Sequence, residues 1–378
     1  MNKIDKLIKE LCPDGVEFKE LGDLADVGTG SSNGNEAIEN GKYPLFVRSK
    51  LVKSIDTFEF DEEAIVIPGE GGVGEIFHYI NGKYALHQRA YRIHFTTSKI
   101  LAKFAYYYLF ANFLPYILKK SVNATVKSIR KPMVEQFQIP LPPLPIQEEI
   151  VKILDKFTEL EAELEAELEA RKKQYEYYRD ELLTFGDEVE FKELGEVANY
   201  SKNRISAKEL NAESYVGVDN LLQNRQGKTI SSYVPNKGNL TEYEPDNILI
   251  GNIRPYLKKI WHATNHGGTN GDVLVVQINK KENLISRFVY YLLASDNFFS
   301  YNMRFAKGGK MPRGDKSAIL KFKIPLPPIS EQNRIVAILD KFDALVNDIS
   351  TGLPAELEAR RKQYEYYREK LLTFKEKN

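Results

Sequence analysis

The chain has one cysteine, one tryptophan, four methionines and five histidines among its 378 residues. Each scarcity closes a class of function. Cys12 alone excludes an intrachain disulfide framework and leaves no thiol cluster for zinc. The histidines (His78, His87, His94, His262 and His266) do not form a metal-binding pair on a helix. His262 and His266 are four apart, but they flank Asn265 and Gly267 in what reads as a loop. No serine stands in a nucleophile-elbow pattern. The chain also lacks a clean membrane run. Residues 101–118 are strongly apolar, but Lys103, Asn112 and Pro115 interrupt them and Lys119 and Lys120 follow, which predicts a buried globular helix. The opening MNKIDKLIKELC is charged throughout and has no apolar signal core, so a cytoplasmic protein is expected.

Net charge is also missing, since 53 basic residues meet 53 acidic ones. The balance hides a pattern. Residues 76–144 hold ten Lys/Arg against one acid, Glu135, and residues 247–329 hold thirteen against four. Residues 145–188 hold six against fourteen. Two basic segments at matching places, separated by an acidic one, predict two contacts with a polyanion and a different partner for the spacer.

Two apparent nucleotide motifs fail. Gly69-Glu70-Gly71-Gly72-Val73-Gly74 follows a strand, but Glu75–Gly82 reads as a strand and turn rather than the helix that would meet a pyrophosphate. It reads instead as a glycine loop that turns a hairpin or lets backbone approach DNA. Gly227-Lys228-Thr229 ends like a P-loop, but Leu222 stands where the first glycine is required. The paired prolines follow Leu141 and Leu326, which does not fit the Asp/Asn/Ser-Pro-Pro-aromatic motif of amino-methylating DNA enzymes. No catalytic constellation remains, and a non-catalytic protein is expected.

What the chain has is duplication. EARKKQYEYYRDELLTF at 169–185 returns as EARRKQYEYYREKLLTF at 358–374. IPLPP at 139–143 returns at 324–328, ILDKF at 153–157 returns at 338–342, and VEFKELG at 16–22 returns at 189–195. The sequences between these blocks hardly match. Two like frames with unlike inserts should present two different recognition surfaces.

The frames read as helices. From Ile146, apolar residues fall at Ile150, Ile153, Phe157, Leu160 and Leu164, a coiled-coil seam. The step to Leu168 is a stutter that locally unwinds it. A helix over 146–183 would be about 57 Å long at 1.5 Å per residue. The second copy, from Glu331 to Phe374, contains Ser350-Thr351-Gly352-Leu353-Pro354. This predicts a kink or short break, with Pro354 in the first turn of the continuing helix. The IPLPP blocks read as stiff extended connectors.

The inserts read as one mixed α/β fold. Strands are predicted at 64–67 and 91–95 in the first and at 247–250 and 273–278 in the second, each pair followed by a helix, at 104–109 and 288–293. About ten extra residues lie early in the second insert. Helix Ile4–Leu11 aligns with Tyr177–Thr184, so the N-terminus can stand in for a helix tail and pack beside the C-terminus. The boundaries expected are 1–14, 15–144, 145–188, 189–329 and 330–378.

The candidate DNA-binding residues are basic side chains beside aromatics and glycines. In the first insert they are Arg89, Arg92, Lys119, Lys120, Lys127, Arg130 and Lys131. In the second they are Arg254, Lys258, Lys259, Lys307, Lys310, Arg313 and Lys316, with Gly308-Gly309 among them. Arginine can fork onto guanine, whereas lysine acts mainly on phosphate. Tyr175, Tyr178, Arg179 and their repeats Tyr364, Tyr367 and Arg368 read first as helix-packing residues and second as a partner-docking surface.

The unlike inserts, IPLPPLPIQEEIVKILDKF, the run LEAELEAELEA and the repeated KQYEYYR helix ends resemble the specificity subunit of type I restriction–modification systems, over the whole chain. That resemblance implies an α+β architecture. Two α/β target recognition domains of like fold are joined by two long antiparallel coiled-coil helices in a pseudo-two-fold arrangement. It implies that each domain reads one half of an asymmetric, bipartite site in double-stranded DNA. It also implies that the helices set the spacing and dock two modification (methyltransferase) subunits, joined by restriction/translocase subunits. S-adenosylmethionine, ATP and Mg are then expected on those partners, with no cofactor in this chain. The interrupted second helix, without a tetrapeptide run, departs from a symmetric pairing. The residues alone leave two alternatives, a stand-alone DNA-binding regulator and a coiled-coil protein-interaction scaffold.

Overall fold

A computed structural model describes residues 2–120, 128–279, 283–348 and 351–377. The chain divides into two compact units, Met1–Glu163 with Leu357–Asn378, and Leu164–Glu356. No helix among the described residues is long and apolar enough to cross a membrane.

The first unit is built on a six-stranded sheet. Its order is Ala25–Thr29, Ala90–Phe95, Phe60–Pro68, His78–Leu86, Tyr43–Phe46 and Lys53–Ile55. All neighbours are antiparallel except the parallel pair Leu45↔Ala85 and Phe46↔Leu86. The apolar run Ala64–Ile67 is buried because Phe60–Pro68 is a central strand with both faces covered. One face packs under helix Ala102–Lys120, which buries Phe104, Ala105, Leu109, Phe113 and Ile117. Gly82 corrects one expectation. It is not a turn but lies within strand His78–Leu86, paired with Glu62.

The N-terminal helix Asn2–Leu11 puts Ile4 into this core beside Leu371 and Leu372. Val16 N donates to Lys375 O at 2.9 Å and Lys377 N donates to Val16 O at 2.9 Å. The two chain ends therefore meet, as the alignment of the repeats predicts.

The second unit keeps the same ladder at an offset of 183. Ile65↔Ile93 and Pro68↔Ala90 in the first unit become Ile248↔Val276 and Gly251↔Val273 in the second. Both long central strands are broken, however. The counterpart of Phe60–Pro68 divides into Asn239–Tyr243 and Ile248–Gly251, and that of His78–Leu86 into Ile260–His262 and Gly267–Thr269. At the break, Asp246 adopts a left-handed φ of 68° and exchanges backbone hydrogen bonds with the segment around Ala263. Two four-stranded sheets result. The helix also divides, into Ser286–Leu293 and Asp296–Phe305, because Ser295 Oγ caps the second piece by accepting from Phe298 N at 3.1 Å.

The first frame helix is continuous over Leu144–Leu182, 39 residues. Its fully buried stripe is Ile146, Ile150 and Leu154, so Leu154 rather than Ile153 carries the seam there. The second copy forms Ile329–Asn347 and Leu353–Leu371, with Pro354 in the first turn of the latter, as expected. Ser350 lies outside the described residues. At the break Gly352 N donates to Asp348 O at 3.0 Å, and a Cβ on Gly352 would stand 2.5 Å from Ala344 O. Only glycine fits there.

The repeat recurs as chemistry. Gln147 is fully buried; its Oε1 accepts from Leu101 N at 2.8 Å and its Nε2 donates to Lys99 O and Pro142 O. Gln332 does the same with Ile285 N, Asn283 O and Pro327 O. Each glutamine ties a Pro-rich connector and a helix start to its frame helix. Asp155 takes Lys103 and Tyr107, as Asp340 takes Arg287 and Tyr291.

Candidate nucleic-acid interface

In the first unit, the strand Phe60–Pro68 ends in the loop 69–77. No helix opens at its glycines; the chain turns into strand His78–Leu86. This agrees with a hairpin and not with a dinucleotide cradle. Glu70 in the loop bridges to Ser128 and pairs with Arg48 and with Arg89, the latter at 2.8 Å. The Arg89 hydrogen bond and the two positive charges hold its carboxyl below the ordinary value despite opposing desolvation. Arg89 itself is largely exposed.

Arg92 is different. Its guanidinium pairs with Asp26 and, at 3.2 Å, with Glu62, lies over the Phe60 ring, and its side chain is only 14% exposed. Strand register explains this, because Arg92 pairs across the sheet with Val66 and Gly28 and so faces acids on neighbouring strands. It is an internal ion pair. Lys119 and Lys120 end helix Ala102–Lys120, with Lys120 bound to Gln136 at 2.9 Å and over the Tyr116 ring. Arg130 is exposed without an ion pair among the described residues, and Lys131 pairs with Glu135 at 3.4 Å. Lys127 lies outside the described residues.

In the second unit, two loops meet. One follows strand Ile248–Gly251 and contains Asn252–Lys258; the other, Lys307–Arg313, closes as a hairpin with reciprocal 2.8 Å backbone hydrogen bonds. They join where Ile253 bridges Arg313 and Arg254 N donates to Pro312 O at 2.7 Å. Lys310, Met311 and Tyr256 are exposed at the loop tips. Lys307 pairs with Asp315 at 2.6 Å and Arg313 with Asp272 at 3.4 Å, both on the surface. Lys316 is exposed and its carbonyl accepts from Tyr200.

Lys258 and Lys259 turn inward. Lys258 joins Arg179 and Arg225 around Asp296. Burial tends to raise the Asp296 carboxyl, but hydrogen bonds and charge from Lys258 and Arg225 outweigh it and hold it below its ordinary value. Lys259 Nζ donates to Val218 O at 2.6 Å, and burial pushes its ammonium below the ordinary value. Arg179 is 1% exposed, so this candidate docking residue belongs to the interior of the second unit.

The frame tyrosines pack on phenylalanines, with Tyr178 still 38% exposed. Tyr175 and Tyr178 stack on Phe342, and Tyr364 and Tyr367 pack on Phe157, so each repeat's phenylalanine receives the other repeat's tyrosines. Arg368 lies over the rings of Tyr364 and Phe110. Two tyrosines outside the candidate set, Tyr177 and Tyr366, are 64% and 59% exposed at the same place in the two repeats. The YEYY spacing could have found them, since a residue two positions from one packed tyrosine and one from another faces away.

Among the described residues, no group of three His, Cys, Asp or Glu side chains is placed to hold a metal. His262 bonds Ser286 Oγ at 3.3 Å and His266 bonds Glu242 at 2.8 Å, so the two rings serve separate contacts.

Comparison with known proteins places this architecture. The type I restriction modification DNA specificity domain matches the chain twice, over residues 13–170 and 186–359. The EcoR124I/EcoR124II type I restriction enzyme specificity subunit of Escherichia coli is 38% identical over 73% of this chain and 72% of its own length. The EcoprrI type I restriction enzyme specificity subunit, also of Escherichia coli, is 32% identical over 66% of this chain and 62% of its own. A crystal structure of the type I restriction–modification S subunit from M. genitalium shares the fold, with a TM-score of 0.62 over 95% of this chain and 96% of that one at 17% identity. A chain from a study of complex assembly and conformational transition in the type I system aligns with a TM-score of 0.59 at 13% identity. With two copies of the family domain spanning most of its length, the chain belongs to the type I restriction–modification DNA specificity family.

Proposed function

We propose that this chain is the non-catalytic DNA-recognition subunit of a type I restriction–modification complex, each unit reading one half of an asymmetric bipartite site. The observation that carries this reading is a shared ladder and frame ending in two chemically unlike loops, Gly69–Phe77 in one unit and Asn252–Lys258 in the other. A single-domain regulator has no use for the second frame, and a scaffold has no use for basic segments at matching places in both inserts.

Within this reading the DNA-facing residues are those with exposed cations. They are Arg89, Lys119, Lys120, Arg130 and Lys131 in the first unit and Lys307, Lys310, Arg313 and Lys316 in the second, joined there by the half-buried Arg254. Arg92, Lys258 and Lys259 instead make internal contacts, each within its own unit. Modification subunits dock on the frame helices, with Tyr177 and Tyr366 as exposed anchors beside Tyr178. Methyl transfer, ATP and Mg belong to those partners, which work where a cytoplasmic genome is found. The test is reconstitution with the modification subunits. The complex should methylate one bipartite sequence, and methylation that persists without this chain would refute the reading.

A further inference from the structure

The equivalence of the two ladders fixes which loop residues correspond. With Pro68 matched to Gly251, Glu70 falls on Ile253 and Gly71 on Arg254. The bridges agree, since Glu70 pairs with Ser128 as Ile253 pairs with Arg313. Gly71 and Arg254 share a left-handed backbone, φ 67° and 52°. A glycine accepts that conformation freely, whereas an arginine is strained in it. The second unit therefore holds an arginine where its own sister fold uses glycine.

No contact among the described residues repays that arrangement. Arg254 makes no side-chain hydrogen bond or ion pair among the described residues, and its Nε is buried without a protein acceptor. Three other arginines of this neighbourhood are committed to acids, Arg179 and Arg225 to Asp296 and Arg313 to Asp272. Beneath the loop, Asn252 Oδ1 and both amide atoms of Asn302 also lack protein partners, in residues 5% and 1% exposed.

The loop is nonetheless held at both ends. Arg254 N is fixed to Pro312 O at 2.7 Å. At the far end Lys258, also left-handed at φ 51°, pairs with Asp296, and its carbonyl and that of Leu257 accept from Arg225 N and Asn224 N at 3.0 Å. Between these clamps the short turn Pro255–Leu257 presents Tyr256, 48% exposed. A rigid turn offering an uncommitted arginine fork and an aromatic face suits base edges better than phosphate, which needs only charge.

We propose that Arg254 and Tyr256 are the specificity-determining residues of the second unit, Arg254 forking onto a guanine in the major groove and Tyr256 contacting the neighbouring base pair. The proposal rests on the reading of the chain as a DNA-specificity subunit. It is tested with the full complex by mapping methylated sequences for the wild type and for R254G, R254K and Y256A. The glycine variant adopts the sister unit's residue, so its melting temperature should match or exceed the wild type. One half of the bipartite motif should relax at one or two positions, with discrimination falling about tenfold or more, while the other half is unchanged. R254K, which keeps the charge and loses the fork, should relax the same position. An unchanged motif in all three variants overturns the proposal. So does a uniform loss of affinity with both halves intact, which would make Arg254 a phosphate contact, and so does relaxation in both halves. A wild-type complex without a bipartite motif would instead overturn the functional reading itself.

Discussion

Single residues decide where this chain is stiff. Gln147 satisfies three backbone groups from the protein interior, and replacing it with leucine leaves Leu101 N and two carbonyls unmet. Q147L should lower stability by about 3 kcal/mol in urea denaturation, and Q332L should do the same in the second unit. His262 gives the fold a pH response. Burial, aided by the charge of Arg287, lowers its pKa to about 4, against the opposing pull of Asp246 and Asp340. The unfolded chain takes up this proton near pH 6.5 and the folded chain only near 4, so stability is full above 6.5 and is lost as pH falls through that window. The loss is on the order of 3 kcal/mol, and H262Q should remove most of it in thermal melts at pH 7 and pH 4.5.

Residues also mark the limit of what the sequence conveys. The basic candidates were visible as a cluster, but composition does not distinguish a cation facing solvent from one facing a carboxylate. Arg92 is internal because strand register sets it beside Glu62 and Asp26, and that register depends on contacts 30 and 66 positions away. In the sequence Arg254 is one basic candidate among many, because its significance lies in a backbone angle shared with Gly71.

At the scale of elements, the local signals were strong and read well. The apolar runs at 64–67 and 273–278, the breaker-free LEAE helix and the Gly352–Pro354 interruption each carry their physics in adjacent residues. The broken strands of the second unit were not legible, since the left-handed Asp246 and the crossing at Ala263 arise from pairing between distant segments. The interruption itself is testable. G352A drives a Cβ to within 2.5 Å of Ala344 O, so the turn must open. It should cost about 1–3 kcal/mol, seen as a lower melting temperature, whereas T351A at the exposed neighbour should cost much less.

At the scale of the whole molecule, a chain of zero net charge contacts a polyanion through placement rather than excess. Most cations of the acidic spacer and the frame helices sit beside acids, such as Arg361 with Glu161 and Lys156 with Glu159, while Lys310 and Lys316 stand exposed on the second unit. If these lysines neutralise phosphates, K310A and K316A should each reduce the slope of log K against log salt by about 0.9, without altering the sequence read. Salt titration of binding by the assembled complex measures this.

Duplication followed by divergence of the inserts is the account's centre, because an asymmetric DNA target requires two different readers on equivalent frames. Long-read mapping of methylated positions in cells with and without this chain tests it most directly. The account predicts one asymmetric bipartite motif of two short halves separated by unread bases, lost completely when the chain is absent. A palindromic or undivided motif, or methylation unchanged in the chain's absence, would contradict it.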